Sequence, residues 1–137
     1  MKEGRPYLVN YALGIIFVMS VHLLFNGVAA LAFPELFHTS MYEGEFFQVL
    51  FIGVGIVEMI MFVSLYIGSG IAYKFTLLLL VGILAATVIY ISWKEDFAFD
   101  MTIQSVLSVV CLVLLLTPRV RRYYKNWSLG ELPSFEL

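Results

Sequence analysis

Charge is scarce in this sequence: 13% of its 137 residues are charged and 61% are hydrophobic, against about 25% charged in a soluble domain. A water-facing surface cannot be made from so few charges, and lipid is the expected solvent. The eight basic residues are outnumbered by ten acidic ones. That excludes a basic face able to neutralise a row of phosphates, and with it nucleic-acid binding. A single cysteine, Cys111, excludes an intrachain disulfide, a CxxC zinc pair and any dithiol mechanism within the chain. Also missing are a phosphate-binding glycine loop, a serine-histidine-acid set and an HExxH motif.

What fills the sequence is long apolar runs. A helix needs about 20 mainly apolar residues to cross a hydrocarbon core roughly 30 Å thick. Four stretches meet or approach that length: about 11–33, 46–67, 73–93 and the shorter 101–116. Backbone polar groups cannot stay unpaired in lipid, and the strict alternation of a barrel strand is absent, so each run is expected to be a helix. PELFHTSMYEGE, GSG and KEDFAFD separate them and carry the turn-forming and charged residues of loops. The expected fold is an all-α, up-down bundle of four transmembrane helices in a single membrane domain, with a tail over 118–137. The first run lacks a clean cleavage site and reads as a retained anchor.

Lys2, Arg5, Lys74, Arg119, Arg121, Arg122 and Lys125 fall on one side of this scheme and Lys94 on the other. The positive-inside rule therefore predicts a cell-membrane protein with both termini cytoplasmic. Tyr7, Tyr11, Tyr66, Tyr73, Trp93, Tyr123, Tyr124 and Trp127 lie near the predicted boundaries, as an aromatic belt does. In the tail, Arg119, Arg121, Arg122 and Lys125 make a basic-aromatic run suited to anionic headgroups or to a partner, each basic residue adding about 1 kcal/mol at such a surface.

Ionisable residues inside a span are costly, roughly 3 kcal/mol on insertion scales, and invite a functional reading. Glu58 lies about halfway along span 2 and His22 about halfway along span 1, so a His22–Glu58 pair near the midplane is expected. Asn26 follows one turn after His22 on the same face. In span 4, Gln104, Ser108 and Cys111 fall within about 60° of arc at 100° per residue. In span 3, Gly82 and Ala86 are spaced to let a helix approach closely. Gly53 and Gly55 leave room near the carboxyl for a ligand or a neighbouring helix. The interior so drawn has His22, Asn26 and Glu58 facing one another with Gln104 above them.

A plain structural reading stands beside each functional one. A His-Glu contact can simply join two helices, although interhelical polar contacts average only about 0.6 kcal/mol. Asn26, Gln104 and Ser108 suit interhelical bonding, and Cys111 suits packing as a small apolar group. His38, among Glu35, Glu43 and Glu45, matches no established metal-ligand spacing, and no metal is expected.

The stretch GIVEMIMFVSLY around Glu58 resembles the second span of DoxX-like small membrane proteins, which are compact four-helix proteins of about this length. The opening ALGIIFVMSVHLLFNGVAALAFPELF, with a proline just after span 1, the short second loop and the basic C-terminal end are similar to that group in layout. The resemblance implies a subunit or partner in membrane redox systems, including quinone-linked sulfur oxidation, and carries over Glu58 alone. The lone cysteine and the lack of a basic residue early in span 1 depart from the group and speak against catalysis by this chain alone.

The sequence names no cofactor; a quinone or a lipid is the class considered. The reading favoured is an accessory or small-molecule-binding subunit of a larger membrane complex, partnered by lipid and by other subunits or copies of itself. Two alternatives stay open. One is a quinone-reactive redox component with His22 and Glu58 as a proton relay; the other is a small oligomeric proton-coupled transporter.

Overall fold

The computed structural model describes residues 5–33, 35, 45–94 and 99–125. Five helices order these residues: α1 (Tyr7–Ala32), α2 (Glu45–Ile67), α3 (Gly70–Lys94), α4 (Phe99–Leu115) and α5 (Pro118–Lys125). No strand occurs among the described residues, as expected for chains that must satisfy their backbone within each segment. Three helices, α1, α2 and α3, are long and apolar enough to cross a membrane, and a fourth crossing is made if α4 and α5 count as one bent segment. Their most apolar windows are only 33%, 17% and 28% buried within the protein. Most of that greasy surface therefore faces outward, where water is the wrong solvent for it.

Helix α1 packs on α2 and on α4, and α3 packs on α4 and, least closely of these pairs, on α2. Hydrogen bonds set the register. Arg5 donates to the Tyr66 carbonyl and Ser20 Oγ to the Gly55 carbonyl at 2.7 Å. Gln48 Nε2 reaches the Ala30 carbonyl at 3.4 Å, so α1 and α2 run in opposite directions. Gln104 to Met19 and Cys111 to Ala12 do the same for α4 against α1.

Glycine lets α1 and α2 come this close. A Cβ on Gly55 would sit 2.9 Å from Leu24 Cγ, and one on Gly27 would sit 2.6 Å from Ile52 Cγ1. Helix α2 then ends at Gly68, whose φ of 96° is open to glycine at no steric cost. Gly68 N–H bonds the Leu65 carbonyl and Ser69 N–H the Ser64 carbonyl, the paired bonds of a Schellman stop. Ser69 Oγ at once accepts the Ala72 N–H and caps α3. The short GSG loop is thus a stop and a start fused.

Proline stops α4. Pro118 has no N–H to continue the ladder and suits the first position of a new helix, and α5 leaves at 72° to α4. The tail's basic-aromatic run is here an amphipathic helix. Val120 and Tyr124 are buried, and Arg119, Arg121, Arg122 and Lys125 are exposed. Tyr124 stacks on Tyr73 at 5.0 Å and donates to the Leu65 carbonyl at 3.0 Å, while Tyr73 donates to the Leu115 carbonyl.

Tyr73 and Tyr124, expected near span boundaries, pack on each other at one end of the helix cluster, Tyr124 buried and Tyr73 half-buried. Both hydroxyls close the end of the helix cluster: Tyr73 takes the Leu115 carbonyl at the end of α4, and Tyr124 adds a second bond to the Leu65 carbonyl that Gly68 N–H already reaches. Tyr7, Tyr11 and Tyr66 are exposed, as a belt requires. Lys2, Pro34, His38, Glu43, Glu95, Asp96, Trp127 and the tail beyond Lys125 lie outside the described residues.

Candidate functional site

Polar side chains gather where α1, α2 and α4 meet. Ser20, Glu58, Gln104 and Ser108 are all buried there, Glu58 at 1% and Gln104 at 4% exposure. Each is placed by its helix. Ser20 is tied to Gly55, one turn before Glu58 on α2. Ser108 bonds back to the Gln104 carbonyl at 2.7 Å within α4. Gln104 Nε2 donates to the Met19 carbonyl at 3.2 Å on α1. Cys111 is buried below them with its thiol 3.8 Å from the Ala12 carbonyl and close enough to Glu58 to interact electrostatically. It packs as a small group.

The expected meeting of His22 with Glu58 does not form as a hydrogen bond. Both carboxyl oxygens of Glu58 are buried without a hydrogen-bond partner. His22 turns instead along its own helix, where Asn26 Nδ2 approaches its ring at 3.2 Å. The reason is register. With Ser20 level with Gly55, Glu58 lies three residues to one side of that level and His22 two to the other. That separates them by about 8 Å along the axis at 1.5 Å per residue. Counting from span ends put them at one depth; the helices are offset. Gln104 and Ser108 are the side chains the register brings to either side of the level of Glu58, and Ser20 lies about one turn from it.

Beside this layer, α2 and α3 stand apart and leave a cleft of about 700 Å³. Its sides are apolar, from Leu50, Val54 and Val57 on α2 and Phe75, Leu79 and Ile83 on α3. Leu23 of α1 and Gln104 of α4 reach it from behind, and Thr87 and Tyr90 add polar groups. Gly82 and Ala86 line it too. Their spacing suggested a close helix contact, but a Cβ on Gly82 would meet nothing within 4 Å. The small residues widen the cleft instead of closing it.

No known family, curated protein or solved structure matches this chain. Its site has to be read from its own geometry. Among the described residues no three His, Cys, Asp or Glu side chains gather as metal ligands do.

The Gln104 amide is what links the two regions. One end is held by Met19, and the other, Oε1, is buried with no hydrogen-bond partner while the side chain lines the cleft. Such an acceptor is costly to leave unmet, about 1–3 kcal/mol. Sequence reasoning found Gln104, Glu58 and the stripe with Ser108; it missed Ser20, Thr87 and the cleft itself. Ser20 carried a signal, since a serine in an apolar run needs an acceptor, and Gly55 on the next helix leaves a carbonyl within reach.

Proposed function

We propose that this chain is a polytopic membrane protein that holds a small lipid-soluble molecule in the cleft between α2 and α3, as an accessory subunit of a larger membrane complex. The observation that carries it is the cleft: about 700 Å³, apolar-sided, with the buried acceptor of Gln104 behind it. Small-molecule sites take this form, about 300–1,000 Å³ of apolar wall with a few placed polar groups.

The reading includes four crossings in up-down order, with α4 supplying the last and α5 lying at the surface beyond it. It also puts both termini in the cytoplasm. Arg5, Lys74, Arg119, Arg121, Arg122 and Lys125 support that orientation, because the contacts of Arg5 with Tyr66 and of Tyr73 with Leu115 and Tyr124 draw their segments to one end. The exposed cations of α5 would lie on anionic headgroups. The DoxX-like resemblance adds the expectation that the complex is a redox one and the ligand quinone-like.

A second reading rests on Gly82 and Ala86. Open and small at helical spacing, they suit a helix of another subunit seated in the cleft. Gentle detergent extraction of the tagged protein, followed by mass spectrometry of the proteins and lipids recovered, separates the two. A bound small molecule in stoichiometric amount supports the first reading. A partner protein cross-linked at Gly82 or Ala86, with no small molecule, overturns it in favour of the second.

A further inference from the structure

The outer face of α5 opposes its own helix. Arg119 and Arg122, Arg122 and Lys125, and Arg121 and Lys125 stand three or four residues apart, the spacing at which like charges repel along a helix. The segment PRVRRYYK contains no acid to offset them. Its 8 residues also fall short of the about 12–15 that an isolated helix needs in water. Val120 and Tyr124, which it buries, tie its inner face to the protein.

The surroundings add charge of the same sign. Arg121 is close enough to Tyr73 to interact electrostatically, and Arg5 to Tyr124, so the starts of α1 and α3 share this end, with Lys74 exposed beside Tyr73. Among the described residues the acids lie elsewhere: Glu35 follows α1, Glu45 and Asp100 stand at the starts of α2 and α4, and Glu58 is buried inside. Position then selects the partner. Tyr124 and Tyr73 reach carbonyls in the last turns of α2 and α4, and α5 stands at 72° to α4. The cations therefore lie along the edge of the apolar helices, where the nearest anions in a bilayer are lipid phosphates.

We propose, resting on the membrane reading above, that anionic phospholipid headgroups bind the outer face of α5 and hold it helical and docked, so that bilayer charge sets how firmly this end of the bundle is closed. A ligand that binds only the docked helix stabilises it. Each basic side chain at an anionic surface is worth about fivefold in binding, and salt screens the attraction.

The test is hydrogen exchange of the α5 amides, read by mass spectrometry on the full chain in nanodiscs of phosphatidylcholine alone or mixed with phosphatidylglycerol. Exchange is expected to be at least about tenfold slower with phosphatidylglycerol, and high salt should erase the difference. Arg119→Gln, Arg121→Gln, Arg122→Gln and Lys125→Gln together keep Val120 and Tyr124 and should make the two discs alike. Equal exchange in both discs by the unmodified chain overturns the proposal and leaves the cleft reading standing; that comparison needs no variant to fold. A difference that survives high salt or the combined variant also overturns it, because lipid charge is then read elsewhere. Protection that appears only with a copurified acidic protein, and in neither disc, gives the face to that protein instead. A chain that does not enter nanodiscs overturns the membrane reading and this inference with it.

Discussion

Helix α2 meets its two neighbours in opposite ways. Against α1 it is packed as closely as glycine allows, with Gly55 against Leu24, Gly27 against Ile52 and Ser20 bonded across the gap. Against α3 it stands off, and the glycines there, Gly53 on α2 and Gly82 on α3, have nothing within 4 Å of where a Cβ would be. The same residue type serves close packing on one side and open volume on the other. A glycine in an apolar helix therefore announces that space is needed, and the facing residue decides what fills it.

The comparison can be broken or sharpened by substitution. The largest effect is expected at the closed end. Tyr124→Ala removes a buried aromatic, its stack on Tyr73 and its bond to Leu65, and should cost about 3–5 kcal/mol. Unfolding in mild detergent, followed by circular dichroism, would read this as a large fall in midpoint. Tyr124→Phe should lose about 1 kcal/mol, the hydrogen bond alone.

Next comes the tight face. Gly55→Leu forces atoms into Leu24 and should cost about 2–3 kcal/mol; an unchanged unfolding midpoint would mean that α1 and α2 are not packed as described. A smaller effect of opposite sign is expected for Glu58→Leu. It removes a buried carboxyl that has no hydrogen-bond partner and should raise stability by about 1–2 kcal/mol. A lower midpoint would reveal a partner for the carboxyl and revive the paired reading. Smallest is Gly82→Ala, where helix propensity should add up to about 1 kcal/mol with no clash to oppose it. If that change instead destabilises the protein as Gly55→Leu does, the open side is not open.

Much of the site is legible in the sequence, and the one mispairing is instructive. Glu58 and Gln104 were found because polar groups in an apolar run are expensive wherever they point. Asn26 was joined to His22 because both sit on one helix, where spacing alone settles neighbours. The pairing of His22 with Glu58 crossed two helices, and there spacing along the chain says nothing about axial offset. Likewise the basic tail was recognised as a surface feature, but its docking through Val120 and Tyr124 depended on carbonyls at the ends of α2 and α4.

The sequence by itself determined the four apolar helices, their apolar exterior and the break at Pro118. Each of these follows from properties of one segment: its transfer cost to lipid, its need to satisfy its own backbone, and a missing N–H. The tertiary structure alone decided which polar residues share a level, that α5 folds back under the helices, and that Gly82 and Ala86 border empty volume. These depend on how two surfaces slide and fit against each other. Register between helices is set where Gly55 and Gly27 let them touch, and contact is a property of pairs that no single helix encodes.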